Sequence, residues 1–515
     1  MKHSIKKTIF FILFPCYVSA QQDSIAVRFS KNISKQNLEK NLRVLASDEY
    51  EGRETGEKGQ KMAAKYIAEQ FQSFGIPAYK DKTYYQEFPL NLLYPSSITI
   101  HVNEKEYTNN NDFYVFPGQQ GQIIEANQLT FLGYGIKDSL YNDYEGVEVK
   151  DKMVMVLKGE PYTKDSVSLI TGKKEASWWT KYGASKSSEA NEAGVKALFV
   201  VVDDLAKSME ANKYRIEKPV LSSKKNTKKM PVFYISKSMA NEILKITTVE
   251  KLKKKIAKTR KTKQIEVTGT INITIKEASQ NINSENVLGY LEGSDLKEEL
   301  IIITAHYDHL GKEGWVVYNG ADDDGSGTVA VIELAKAFAT AKKEGEGPRR
   351  SILFMTVSGE EKGLLGSSYY VNNPEYPLKN TICNLNIDMI GRMDKQHENN
   401  PDYVYLIGSD KLSSDLHTIS EKANKTYSTL ELNYTYNDEK DKNRFYYRSD
   451  HYNFAKNGIP VIFYFNGVHD DYHKETDEVD KINFEKIEKT TRLVFFTAWE
   501  LANRTERIKV DSNKK

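Results

Sequence analysis

The 515-residue chain has only two cysteines, Cys16 and Cys383. A disulfide framework is therefore excluded, and the fold must rest on a buried core. No apolar run reaches the roughly 20 residues that a bilayer-spanning helix needs, which argues against a permanent membrane span. Internal repeats and low-complexity segments are also missing, so a solenoid or a disordered scaffold is not expected. An excess of one charge is lacking as well: 73 Lys and Arg face 71 Asp and Glu, a net charge of +2. That balance provides no electrostatic footprint for nucleic acid or for an acidic surface. Residues 251–263 (KLKKKIAKTRKTK) are locally basic, but Leu252, Ile256 and Ala257 recur at helical spacing, so the segment reads as an exposed helix. What is present is 39% hydrophobic content, enough for a sizeable core, in a length that suggests two or three domains.

The chain opens with a targeting pattern. Lys2, Lys6 and Lys7 precede the apolar run 8–18, and Val18-Ser19-Ala20 stand before Gln21. Residues 1–20 are expected to be a signal peptide cleaved after Ala20, which makes the protein periplasmic or secreted. Lipoprotein anchoring through Cys16 is the less favoured alternative, because Pro15 fits poorly before a lipidated cysteine. The mature chain would then keep only Cys383, inside an expected core strand, and could form no intramolecular disulfide.

Chemistry concentrates in the second half. His306 in AHYDHLG, Asp323 in GADDDGSG, Glu361 in SGEEKGLLGS, Asp388 in NIDMIG and His473 in DDYHKETD come in order, most of them just after an apolar strand pattern (300–304, 352–357, 382–387 and 460–465). In an open α/β sheet, residues distant in sequence converge in the crevice beyond the carboxyl ends of the strands. Alone, each motif has an ordinary explanation, such as a strand-end His-x-Asp pair or acids at the start of the helix expected over 328–338. Together, two histidines and three carboxylates without cysteine make a nitrogen and oxygen site suited to two Zn²⁺, with Mn²⁺ or Co²⁺ as substitutes. Asp323 is the expected bridge between the ions. Asp308, two residues after His306, should lie one layer behind the ligands and accept the second imidazole N–H. Glu360, beside Glu361 but without an ion of its own, is the expected general base of a two-metal hydrolase.

These strings, with GADDDGSGTVAVIELA, SGEEKGLLGSSYY, NIDMIGR and YHKETDEVDKIN, resemble the co-catalytic zinc aminopeptidases of the M28 peptidase family in sequence and in order. The resemblance implies one zinc on His306, Asp323 and Asp388 and another on Asp323, Glu361 and His473, with Glu360 as catalytic base. It also suggests Tyr472 as a catalytic phenol that hydrogen-bonds the oxyanion. Residues 38–77, with a helix over 58–74 ended by Gly75 and Pro77, resemble the family's opening helices. GYGIKDSLYNDYEGVEVKDKMVMVLKGEP and EAGVKALFVVV resemble a protease-associated (PA) domain, with strands expected over 128–132, 152–157 and 197–202.

The resulting expectation is an α/β fold, a mixed β-sheet flanked by helices and interrupted by a mostly β insertion. Its parts are a signal peptide (1–20), the first part of a peptidase domain (23–115), a PA-like insertion (116–279) that acts as a silent lid or spacer, the second part of the peptidase domain (280–505) and a polar tail (506–515). The implied activity is removal of N-terminal residues from peptides with a free N-terminus, with no nucleic-acid partner. A carboxypeptidase remains open because Arg392, Arg444 and Arg448 lie near the later motifs. A glutaminyl cyclase and a non-catalytic binding protein also remain; retention of DDDGSG and of every ligand with Glu360 weighs against them.

Overall fold

Four runs dominated by Ile, Val, Leu and Phe become strands buried on both faces: β1 (Leu296–His306), β2 (Arg350–Val357), β3 (Thr381–Ile387) and β4 (Val461–Phe465) in the computed structural model. Continuous rather than alternating apolar sequence is what parallel strands covered on both sides require. They lie in the order β4-β3-β1-β2, all parallel. The register aligns their carboxyl ends: His306 faces Val357, Thr304 faces Asn386, and Ile387 faces Tyr464. Antiparallel Ser279–Leu291 and Tyr403–Ile407 extend this block on its two sides, which makes the sheet mixed, as expected.

The structure describes residues 22–78, 82–181, 184–223 and 230–511. The expected signal peptide, Cys16 and residues 512–515 of the expected tail lie outside them. Among the described residues no helix is long and apolar enough to cross a membrane. Two compact units emerge, one formed by the chain up to Phe88 together with everything from Asn283 onward, the other by residues 89–282.

In the first unit, alternation along β1 feeds two cores. Ile301, Ile303 and Ala305 point into one with α1 (Lys35–Leu45), α2 (Lys58–Ser73), α3 (Gly327–Lys343) and α4 (Phe484–Asn503), whereas Leu300 and Ile302 join Tyr370 and Phe454 in the other. Helices on both faces of a largely parallel block are the α/β layer arrangement. Cys383 is buried in β3 with a free thiol. The chain leaves α2 through Gly75 at φ +78°, a conformation that glycine adopts without steric cost.

The second unit is wider than the stretch 116–279 read from the sequence. It runs from 89 to 282, because Ser97–Val102 pairs antiparallel with Ile265–Lys276, Ile98 opposite Ile275. SITIHV reads as a strand but carries no motif, so its allegiance is decided only by its partner. Its sheet continues through Gln122–Phe131, Met153–Leu157, Ala197–Val201 and Val232–Ile235, all four parallel, with Met153 and Met155 facing one core and Val154 and Val156 another. The basic segment is a helix, Val249–Thr259, yet it is not simply exposed: Val249, Leu252 and Ile256 are buried in that core, and the lysines form its outer face.

Candidate metal centre

Because the strand ends are level, the residues just beyond them meet. His306 closes β1. Glu360 and Glu361 follow β2 in a turn, Asp388 is the first residue after β3, and the segment after β4 turns back at His473, which sits at φ +58°. Asp323 comes from the 321–326 segment that leads into α3.

The two oxygens of Asp323 face different neighbours. Oδ1 lies 3.3 Å from His306 Nε2, which is itself 3.7 Å from Asp388 Oδ1. Oδ2 lies 3.1 Å from His473 Nε2, which is 3.2 Å from Glu361 Oε2. Ligand atoms around one tetrahedral zinc, with bonds of about 2.0 to 2.2 Å, stand roughly 3.3 Å apart. Both clusters have that spacing, and all five sequence-identified ligands fall into one or the other. Glu360 flanks the first, its Oε2 4.0 Å from His306 Nε2.

Each aspartate of the DDD run has its own task. Asp322 accepts from Gly391 N at 2.6 Å and pairs with His469 Nε2 at 3.2 Å. Asp324 accepts from the backbone N–H groups of His306 (3.2 Å), Gly327 (2.8 Å) and Met389 (3.1 Å), so one carboxylate ties together the three segments that carry His306, Asp323 and Asp388. Asp477 accepts from the backbone N–H of Asp322 and of Asp323, fixing the bridge residue from the far end of the His473 loop. Sequence reasoning assigned no role to His469 or Asp477. The strings DDYHKETD and YHKETDEVDKIN both contain Asp477, but nothing in them separates this acid from the solvated ones beside it.

Asp308 sits behind the ligands, but not as expected. The carboxylate is 3.9 Å from His306 Nδ1, and the hydrogen-bond partner of that nitrogen is the Asp308 backbone carbonyl at 3.1 Å. The chain leaves the strand geometry at His306, so two-residue alternation no longer points the side chain. The carboxylate instead accepts from Thr55 Oγ1 (2.6 Å) and from Glu360 N (3.2 Å), linking the N-terminal segment to the turn that presents the expected base. Next to Thr55, the buried guanidinium of Arg53 donates to the carbonyls of Tyr307 (2.8 Å), Asn319 (2.6 Å), Gly320 (2.9 Å) and Leu45 (2.8 Å). It therefore clamps the backbone of both the HYDH and the GADDD segments.

The donor set calls for cations. Asp323 Oδ2 and Glu361 Oε1 are buried and accept no hydrogen bond. Leaving anions in that condition costs several kcal/mol each. Burial alone would push the Asp323 carboxyl up and the imidazoles down. The mutual attraction of His306, His473 and Asp323 wins, and the carboxyl is held well below its usual range. Burial and Asp323 likewise push Glu361 up, but His309 and His473 hold it at about 2; His473, despite burial, is raised to about 10 by Asp323 and Glu361. Glu360 differs. Burial raises its carboxyl well above the usual range against the pull of His306, aided by Glu361, Asp450 and Asp388. These groups fit a pair of divalent ions, with Glu360 left to handle a proton.

A small open cleft lies beside the clusters. Its lining joins the polar His306, Asp323, Glu360 and Asp388 to the apolar Met389, Phe445, Phe463, Phe465 and Val468. Tyr472 and Arg448 line it too, the guanidinium donating to the phenol oxygen at 3.3 Å, and the Tyr472 ring stacks on His473 at 3.9 Å. Arg392 pairs instead with Asp471, at 2.9 Å.

Residues 286–498 match the Peptidase family M28. Aminopeptidase YwaD of Bacillus subtilis (strain 168) is 28% identical over 242 residues, 45% of this chain and 48% of its own length. Leucine aminopeptidase 1 of Sclerotinia sclerotiorum is 31% identical over 215 residues, 40% of this chain and 53% of its own. The chain thus spans about half the length of the curated relatives it matches. Among solved structures, an aminopeptidase from Aneurinibacillus sp. strain AM-1 superposes with a TM-score of 0.54 at 19% identity, covering 94% of this chain and 97% of that one, which is a likeness of fold. Over residues 286–498, then, the chain is similar to peptidase family M28, and that stretch holds every member of both clusters.

Proposed function

We propose that the protein is an exported dinuclear zinc aminopeptidase that removes N-terminal residues from peptides. The observation that carries this reading is the division of Asp323, with Oδ1 toward His306 and Asp388 and Oδ2 toward Glu361 and His473. The similarity to enzymes named aminopeptidases supports the reaction class. Two bound zinc ions would polarise the scissile carbonyl and acidify the attacking water. Glu360 takes the water's proton and passes it to the departing amine, a role that suits a buried carboxyl with a raised affinity for protons. Tyr472, at the cleft wall, donates its hydroxyl to the oxyanion. Met389, Phe463, Phe465 and Val468 would hold an apolar N-terminal side chain.

Four carboxylates (Asp323, Glu360, Glu361 and Asp388) offset two dications, so a substrate ammonium can enter without meeting net positive charge. A carboxypeptidase has to neutralise a substrate carboxylate instead, and Arg448 in the cleft favours that second reading. One comparison separates them: an aminoacyl anilide with a free amine should be hydrolysed and its N-acetylated form should not. Release of C-terminal residues from N-acylated peptides would replace the aminopeptidase assignment. Export rests on residues 1–20, and N-terminal sequencing of the mature protein should begin at Gln21; a diacylglyceryl group on Cys16 would show anchoring instead. The inserted unit, 89–282, is proposed to be PA-like and catalytically silent.

A further inference from the structure

We propose that His309 is a protein ligand of the ion on the Oδ2 side of Asp323, giving that ion four side chains (His309, Asp323, Glu361 and His473) and the other only three. The inference rests on the dinuclear reading above and goes beyond it by making the two positions unequal.

His309 Nδ1 lies 2.9 Å from Glu361 Oε1 and 3.8 Å from Asp323 Oδ2. Those separations bracket the roughly 3.3 Å between ligands of one tetrahedral ion. His309, Asp323 and Glu361 can present their ligand atoms to a common point in the same way as His306, Asp323 and Asp388. The imidazole is fully buried, and neither ring nitrogen has a hydrogen-bond partner. An unpartnered buried polar atom costs about 1 to 3 kcal/mol, and a bond to the ion would relieve that cost at Nδ1. The nearest polar atom to Nδ1, Glu361 Oε1 at 2.9 Å, is itself buried and without a hydrogen-bond partner, so both atoms await the same ion.

The place of the ring is built into the chain. A Cβ on Gly320 would sit 2.5 Å from His309 Cγ and Cδ2, so the glycine leaves the space that the imidazole fills. On the other side the His309 backbone N–H donates to Arg53 O at 3.2 Å, which places the ring from a segment remote in sequence. His473 contrasts with it, being 37% exposed at its side chain. Four protein ligands make a closed site of the structural kind, and three leave a position open. Glu360 stands beside the open, three-ligand side, next to His306. The side that would keep an open position is therefore the one next to Glu360, and the His309 side would chiefly anchor the pair.

The test uses the full-length protein with Zn²⁺ titrated against a competing chelator and with Co²⁺ as a spectroscopic probe. His309→Phe fills the volume without a nitrogen, and His309→Gln keeps an N–H donor. Both variants should keep the ion at His306 and weaken the other by at least about tenfold, the lower end of what even supporting residues contribute. The visible Co²⁺ absorption of that second position should change in both. If His309→Gln shows the wild-type affinity and the wild-type Co²⁺ spectrum, His309 serves Glu361 as a hydrogen-bond donor and the inference is overturned. Should His309→Phe fail to fold, judged by thermal unfolding without metal, His309→Gln decides alone. A wild-type chain that binds one ion refutes this inference together with the dinuclear reading. Unchanged metal binding in both variants, with anilide hydrolysis intact in the wild type, refutes only His309.

Discussion

Adjacent residues in this site differ in kind, and substitution separates them. Glu360→Gln should retain both ions and lower turnover by about 10² to 10⁴, the usual scale for losing acid and base assistance. Metal analysis beside steady-state rates checks this; loss of metal as complete as in Glu361→Ala would mean that the two glutamates are assigned the wrong way round. Asp323→Ala should strip both ions or leave one weakly held, because each oxygen serves a different cluster. Asp322→Ala should be milder, since that carboxylate holds Gly391 N and His469 and faces neither cluster. Two tightly bound zinc ions in Asp323→Ala would end the bridge assignment. Away from the site, burial pushes Glu333 up to about 7. Its ordinary value is 4.5, so the folded state favours the protonated form, and this contribution to stability is lost as pH rises from about 4.5 through about 7. Glu333→Gln should therefore leave stability near pH 4.5 little changed and raise it at pH 8 by about 2 to 3 kcal/mol. Equal shifts in unfolding temperature at both pH values would contradict this.

Among the elements, the short segment around Arg53 matters more than its length suggests. α1 precedes it and α2 follows, and between them Arg53 donates to four buried carbonyls while Thr55 fixes Asp308. Arg53→Met should lower stability by at least about 3 kcal/mol, because several buried acceptors lose their donor at once. The expected readout is a lower urea midpoint at an unchanged m-value, together with weaker zinc binding, since Tyr307, Asn319 and Gly320 flank the metal segments. A midpoint near the wild-type value would show that the clamp is redundant.

For the molecule as a whole, the question is whether the peptidase unit stands without its insertion. Tyr94 N donates to Ala278 O at 2.8 Å, so the two ends of the inserted stretch run side by side. Closely spaced ends permit excision. Joining residue 94 to residue 278 through a short flexible linker should leave a folded chain that binds zinc and cleaves small aminoacyl anilides. Size-exclusion chromatography and metal analysis check the first part, and comparing anilides with long peptides checks whether the insertion affects substrate size. An insoluble product would show that the insertion is needed to cover apolar surface.

How much of this was legible in the sequence follows from the range of the forces involved. The four central strands, α2, α3 and the five residues that converge in the two clusters could be read because continuous apolar runs and strand-end polar residues are local patterns. Glu360, the proposed base, stood out for the same reason, as a second glutamate beside Glu361. Tertiary structure alone decided which carboxylate does what. Asp322, Asp323 and Asp324 are chemically identical in the string, and they diverge only through the partners that packing brings to them: Gly391 N and His469 for Asp322, His306 and His473 for Asp323, and backbone N–H groups for Asp324. It also turned the Asp308 carboxylate toward Thr55 and Glu360, buried His309 beside Glu361, and drew Ser97–Val102 into the inserted unit. The sequence by itself determined which ligands exist and the order in which the strands present them. Which oxygen faces which cluster, and what holds it there, was settled by contacts between segments from about 20 to about 250 residues apart, and these leave no periodic trace in the chain.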